Sequence, residues 1–586
     1  MKRRGRIVGG RGRIVGALVA ALIVIGVLAP SDASAHAYLI KTVPAASGVL
    51  DVPPTNVQLT YDEAVEPRFA IVSVTNAAGQ QETTGPVQRS PANPDTLIAP
   101  LRADLPQGWY LIYWRAISVD GHPVQGAFTY AVGPNPGPAP QFPVPSIGAT
   151  ATSPQLLIAR WVMFLSVMSA IGLFVLRLLI ARTAVRRAPG TNLRALSRAF
   201  VIASVVGVLA IPVYLDFATA NDSLRSVFDV AALVPLYRVT AFGRGYVDMT
   251  LCFALFCLAA WVALWLDRPR RERRSIAELA ATTGALLAAT AVLIIPGASG
   301  HAGQTSPRGV SLGLDWLHLV TGSVWLGGLL GLLVLWHSQP PGHRARGLSF
   351  VVPRFSNVAL VAVALLLGTG TWATINHIPT LSALWLTGYG VAILVKIGIL
   401  IAAAALGAGN LLRSKPALAR ARTHPTAGEP GARLLRRLVS GEAVLVGGAI
   451  LAAAVLSSLA PPPPAFALQS TALATVGPGR VAQTVKRAGY VLQVLVSPNQ
   501  AAAPDSFALR ITKDSQPVRG ASVTLTFNHT EMQMPQQEYQ LTETQPGLYS
   551  RAAPALVMVG KWALAFQIAP NGGPAFTALI LDQADG

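Results

Sequence analysis

Residues 312–336 read LGLDWLHLVTGSVWLGGLLGLLVLW, twenty-five positions that include one carboxylate and one imidazole. A helix of about 20 such apolar residues crosses a hydrocarbon core of ~30 Å. Seven further stretches have the same character: 155–179, 199–215, 248–265, 279–295, 358–375, 386–406 and 443–459. Together they predict a polytopic α-helical membrane domain of eight spans over residues 154–460. The remainder of the chain lies before or after that block.

The chain has 46 Lys and Arg against 26 Asp and Glu, a formal net charge of +20. Such a balance would fit a nucleic-acid partner, but its placement argues otherwise. Basic residues gather in alternate short loops, 182–198, 268–274, 344–354 and 413–437, while 216–247, 297–311 and 376–382 hold few. That asymmetry is the positive-inside pattern. It predicts a lipid bilayer as partner and no nucleic acid. An even number of spans then puts both flanking regions on the outer face of a bacterial cytoplasmic membrane.

Residues 1–35 start with Lys2, Arg3, Arg4 and Arg6, continue through an apolar run at 14–28 and end Ala33-Ser34-Ala35. This is the layout of a signal peptide; an uncleaved signal anchor is the alternative. Cleavage after Ala35 would expose His36, whose α-amine and imidazole can hold one ion. The amine pKa is near 8, so a metal can displace its proton at neutral pH.

Residues 36–133 alternate as half-buried strands at 57–61, 71–74, 109–114 and 127–132, punctuated by Pro and Gly and without Cys. The pattern predicts a small all-β sandwich or barrel. The loop Val119-Asp120-Gly121-His122-Pro123 can aim a carboxylate and an imidazole at one point. With an N-terminal His this would be a nitrogen and oxygen set suited to tetragonal Cu(II), although Asp-Gly-His alone is a weak signal. The segments HAYLIKTVPAASGVL and WYLIYWRAISVDGHPVQGAFTYAVG resemble the CopC family of periplasmic copper-binding β-barrels. The resemblance implies His36, Asp120 and His122 as Cu(II) ligands. Some CopC proteins add a Met-rich Cu(I) site, but no Met occurs between 36 and 135 here, so a Cu(II)-only domain is expected. A Pro-rich linker, 134–153, follows.

Within the membrane block, ionisable residues are expensive and mark function. His301, His318 and His377 fall at or near the outward ends of their spans, with His318 about two turns inside the fifth. Each could be an ordinary buried histidine; three on one side suggest an entry site. His337, His343 and His424 fall in basic loops and read as solvated. Lys396 is deep in the seventh span and Glu442 opens the eighth, where an ion pair could join them. Cys252 and Cys257 are five apart, about 140° round a helix, and read as apolar packing. The motifs SGHAGQTS, WLHLVTGSVWLGGLLGLL and LWLTGYGVAILVKIGIL resemble CopD, the multi-span copper resistance protein. That resemblance implies copper passage across the membrane and makes His301 and His318 candidate copper residues.

After a second Pro-rich linker, 461–474, residues 475–586 alternate again at 491–496, 506–511, 521–527 and 562–568, predicting a second β-sandwich. In His529-Thr530-Glu531-Met532-Gln533-Met534, thioethers two apart share a strand face. With the imidazole they would favour Cu(I); a plain core or edge strand is the alternative. The segment HTEMQMPQQEYQL resembles the YtkA-like domains that accompany copper proteins.

The sequence therefore points to a non-enzymatic copper protein that binds the ion outside the membrane and transports it, with uptake as the expected direction. Copper is the expected cofactor and cargo, as Cu(II) in the first domain and Cu(I) where sulfur is available. Extracytoplasmic copper chaperones are the expected protein partners. No G-x-x-x-x-G-K-[S/T] motif is present, so transport would be passive or ion-coupled. The alternative is a sequestration or sensing protein with the bundle as anchor. An N-terminal His also occurs in copper oxidases of polysaccharides, but the Asp120 carboxylate would occupy a position needed for oxygen chemistry.

Overall fold

The computed structural model describes residues 39–585 apart from positions 46–47, 62–64, 66, 118–122, 137–152, 189–190, 224–225, 240, 304, 306, 423–427, 460, 463, 502, 531–536, 554 and 558–559. In the N-terminal region, strands β1 (Leu39–Val43), β3 (Asn56–Tyr61), β6 (Thr96–Pro100) and β5 (Gln88–Arg89) form one sheet, in the order β1-β3-β6-β5. Strands β2 (Val49–Leu50), β8 (Pro123–Val132), β7 (Gly108–Ile117) and β4 (Ile71–Asn76) form the other, in the order β2-β8-β7-β4. Period-2 burial in β3 sends Val57, Leu59 and Tyr61 inward, as alternation requires. Trp114 packs flat over its cross-strand partner Gly126, where any Cβ would strike the indole. The β7–β8 ladder runs from Gly108↔Val132 to Ile117↔Pro123.

Among the described residues, eight helices of the central unit are long and apolar enough to cross a membrane. They are α1 (Pro154–Val175), α2 (Arg194–Ser223), α3 (Ala241–Leu266), α4 (Ile276–Ala298), α5 (Arg308–Ser338), α6 (Pro341–His377), α7 (Gly388–Gly409) and α8 (Glu429–Leu456). Each predicted apolar run falls largely on one of these helices, with bounds that differ: 155–179 continues into the π turn Leu176–Ile180, 386–406 begins before α7 and 443–459 passes the end of α8, while most helices extend beyond their runs. Hydropathy registers only the lipid-embedded part, whereas termini are set by caps: Ser153, Ser275 and Thr387 accept from the backbone N–H of Leu156, Glu278 and Gly390. Residues 216–247, read as a loop, are largely helical, because α2 runs on to Ser223 and a further helix spans Val230–Val239.

Two close approaches organise the bundle. A Cβ on Gly172 of α1 would overlap the Ser323 carbonyl of α5, and one on Gly327 would overlap the Gly172 backbone. The two helices thus touch main chain to main chain, the small-residue packing available in lipid. At the Arg-rich end, Asp267 accepts from Arg177 (2.7 Å) and Arg182 (2.9 Å). Glu278 lies 3.3 Å from Arg274 and 3.8 Å from Arg182. Outward faces carry exposed Leu209, Leu251, Leu258, Leu287 and Ile401, which a lipid environment satisfies. Cys252 and Cys257 are free thiols packed against the core.

The C-terminal domain comprises β9 (Ala474–Val476), β10 (Val481–Arg487), β11 (Tyr490–Ser497), β12 (Asp505–Lys513), β13 (Gln516–Pro517), β14 (Ser522–His529), β15 (Gln537–Gln545), β16 (Leu548–Ala553), β17 (Gly560–Ala569) and β18 (Phe576–Ala584). They hydrogen-bond in the order β10-β11-β12-β16-β15-β14-β17-β18-β9, with β13 paired to β12. The continuous path folds round a core of Leu492, Phe507, Leu525, Phe527, Trp562 and Phe566. The second stretch read as a linker contains a 3-10 helix, Pro464–Thr471. Its Leu468 packs with Ala563, Leu579 and Leu581, because the apolar side chains of AFAL have a partner surface that the preceding prolines lack.

Candidate metal centre

His318 lies on the inner face of α5. Its Nδ1 is 2.8 Å from Thr369 Oγ1 of α6. Thr369 is itself 2.8 Å from the Leu365 carbonyl, to which it donates. A hydroxyl has one proton, so Thr369 accepts from His318 Nδ1–H. That hydrogen bond assigns the tautomer: Nε2 carries the lone pair, and a second group orients the ring. Gly370 keeps the wall beside the ring thin, since a Cβ there would sit 3.8 Å from His318 Cε1.

Two ionisable groups accompany the imidazole. Asp315 is one turn away on α5, and its carboxylate fills the space left by Gly297 of α4, where a Cβ would overlap it. Lys396 of α7 is within electrostatic reach of both Asp315 and His318. The proposed pairing of Lys396 with Glu442 is not found. Lys396 faces Asp315, while Glu442 takes the indole N–H of Trp325 at 2.8 Å and the Asn410 amide at 3.3 Å. Asn410 lies fourteen residues beyond Lys396 on the α7 axis, roughly 21 Å of rise, so one carboxylate cannot serve both levels. Asp315 had not been singled out as Lys396's neighbour, because hydropathy gives no information on which helices touch.

The other candidate residues are dispersed. His301 begins the short 3-10 turn His301–Gly303 between α4 and α5, at the same end of the bundle as His377, which closes α6. His377 donates Nδ1–H to the Ala373 carbonyl at 2.8 Å, the same tautomer as His318. His36, Asp120, His122, Met532 and Met534 lie outside the described residues. His529 is buried in the C-terminal core, edge-on to Trp562 with ring centroids 5.0 Å apart. Gly560 is required beside it, because a Cβ would come 2.5 Å from His529 Nε2. Among the described residues no three His, Cys, Asp or Glu side chains converge as a metal cage. What the bundle holds at the His318 level is an imidazole with a carboxylate one turn away on the same helix.

Outside the membrane, the C-terminal domain holds a second polar cluster. Asn499 Nδ2 donates to Asp582 (3.0 Å), and its backbone N–H donates to Asp505 (2.6 Å). Burial raises Asp505 to about 7 and Asp582 to about 6, against the hydrogen bonds that favour their ionised forms.

Three family models match, in order: CopC domain over residues 39–133, Copper resistance protein D over 350–456 and YtkA-like over 484–567. Thr369, Lys396 and Glu442 fall inside the second match; His318 precedes it. The chain is 27% identical over 398 residues to the copper transport protein CutJ of Bacillus subtilis (strain 168), covering 67% of this chain and 71% of that protein. It is 34% identical over 98 residues to protein YobA of Escherichia coli (strain K12), 17% of this chain and 79% of YobA. Copper resistance protein C of Escherichia coli is 32% identical over 107 residues, 17% of this chain and 84% of that protein.

Proposed function

This chain belongs to the copper resistance proteins that join CopC to CopD, with a YtkA-like domain behind them, and from that premise we propose that it captures copper outside the cytoplasmic membrane and passes it inward through the bundle. The observation that carries this reading is the oriented imidazole of His318, held by Thr369 within a lipid-embedded bundle beside Asp315. A membrane anchor has no use for such a group, and its burial is costly. The charge asymmetry of the loops supports placing the basic end in the cytoplasm. Eight spans then leave both β domains outside.

In this reading His36, Asp120 and His122 hold Cu(II), and His301 receives the ion at the outer end of the bundle. His318 Nε2 binds it next, with the Asp315 carboxylate offsetting the added positive charge. Lys396 provides a charge that the arriving cation can displace from Asp315, so the site need never be left with an uncompensated charge. His529, Met532 and Met534 form a subsidiary Cu(I) position, and extracytoplasmic chaperones supply the ion. No bond-making reaction is involved.

Cell-associated copper in a deletion strain tests this, with complementation by wild type, His318→Ala, or His36→Ala with His122→Ala. Inward passage requires wild type to raise internal copper at low external copper and both variants to fail. If wild type lowers internal copper, or His318→Ala matches it, the bundle is not an import route and sequestration outside the cell replaces it.

A further inference from the structure

One face of α5 carries Asp315, His318 and Trp325, which at 100° per residue fall within an arc of about 80°. Trp325 is seven residues past His318, roughly 10 Å along the axis toward the Arg-rich end. Opposite it stands Glu442 of α8, 5% exposed. Trp325 Nε1 donates to Glu442 Oε1 at 2.8 Å and Asn410 Nδ2 donates to Oε2 at 3.3 Å. Asn410 cannot turn its carbonyl to the carboxylate without loss, since Ser414 Oγ donates to Asn410 Oδ1 at 3.1 Å. Both residues belong to the π-helical turn Asn410–Ser414 that ends α7, an irregularity that recurs at functional positions.

A cation would not choose this site. Each carboxylate oxygen already accepts from an N–H, so the nearest partial charges are positive. No charged group on α5, α7 or the π turn acts on Glu442: its partners are the neutral Trp325 and Asn410. On its own helix, Arg436 is stacked on Trp336, 4.6 Å from the ring centroid. A carboxyl buried among helices, hydrogen-bonded to neutral partners and in no ion pair among the described residues, is suited to carrying a proton.

We propose that Glu442 is a proton-binding site on the cytoplasmic side of the His318 level, and that copper passage is coupled to proton movement through it. The step is a proton transfer alone: one carboxyl oxygen takes H⁺ from one side and returns it to the other, with no change of redox state. This rests on the copper-transport reading, and the test separates the two.

The full chain would be reconstituted in liposomes enclosing a pH-sensitive dye, copper added outside, and copper entry and internal pH followed together. Coupling requires wild type to move both, Glu442→Gln to lose the copper-driven proton signal, and Glu442→Asp to recover part of it. A protonated-carboxyl infrared band that titrates in wild type and is missing in Glu442→Gln would accompany this result. Copper entry by wild type without a proton signal, or a proton signal surviving in Glu442→Gln, overturns the coupling and leaves copper transport standing. Loss of the signal in both variants, with unchanged elution as folded protein and no titrating band in wild type, also overturns it by making Glu442 a packing residue. No copper entry by wild type under any imposed gradient overturns the transport reading and the coupling with it.

Discussion

Thr369 Oγ1 accepts the Nδ1–H of His318 at 2.8 Å while donating its own proton to Leu365. A hydroxyl on one helix therefore decides which nitrogen of an imidazole on another is free. Thr369→Val keeps the shape of the side chain and removes the acceptor. Copper uptake or metal affinity at this site should fall by about 10–100-fold, the usual effect of losing a group that orients a metal-binding histidine. Thr369→Ser should retain most of it. Metal titration of the purified full chain, with the outer-domain histidines replaced, checks this.

Gly172 has no room for a side chain against Ser323 and Gly327. Gly172→Val should separate α1 from α5 and lower stability by about 1–3 kcal/mol or more, as overpacking does. Thermal unfolding in detergent should show a reduced midpoint, with less monodisperse protein recovered.

Asp267 compensates two guanidinium groups, Arg177 and Arg182, whose side chains are only 8% and 7% exposed. Asp267→Ala leaves both buried charges short of a partner and should cost about 3–5 kcal/mol. Asp267→Ala combined with Arg177→Met should be milder than Asp267→Ala alone. The same thermal assay would show the rescue.

Asp505 and Asp582 make the C-terminal domain sensitive to pH. Their pKa values are raised by burial to about 7 and about 6, against about 3.9 for an unfolded aspartate. The folded state therefore binds more protons than the unfolded state between these values, and stability falls as pH rises. It is fully present below about pH 4 and is lost through pH 6–7, by an amount on the order of a few kcal/mol for the pair. Hydrogen exchange of β11 and β12 in the full chain, corrected for intrinsic rate, should show weaker protection at pH 8 than at pH 5. Asp505→Asn should flatten the difference.

The sequence reading located elements better than it located partners, for a physical reason. Period-2 burial and twenty-residue apolar runs are local properties, so strands such as β3 and helices such as α5 were legible in the chain. His318 was visible because an imidazole is conspicuous among Leu and Val. Thr369 was not, since a threonine that bonds its own helix carbonyl looks the same in sequence wherever its oxygen points. Lys396 and Glu442 were matched by opposite charge alone. Lys396 instead feels the charge of Asp315, and Glu442 is hydrogen-bonded by Trp325 and Asn410. The basic loops were read as topological signals, and two of their residues, Arg182 and Arg274, also serve in buried or half-buried ion pairs.

The main-chain contact of Gly172 with Gly327 has a mechanical consequence. Helices that meet without intervening side chains have no slack to slide or roll, so α1 and α5 must move as one body. The α7 helix has far less of its surface engaged, with 17% of its apolar window buried against 78% for α1. A rocking that opens the His318 level first to one side and then to the other would therefore meet least resistance at α7. The α1–α5 pair would be the stator against which it turns.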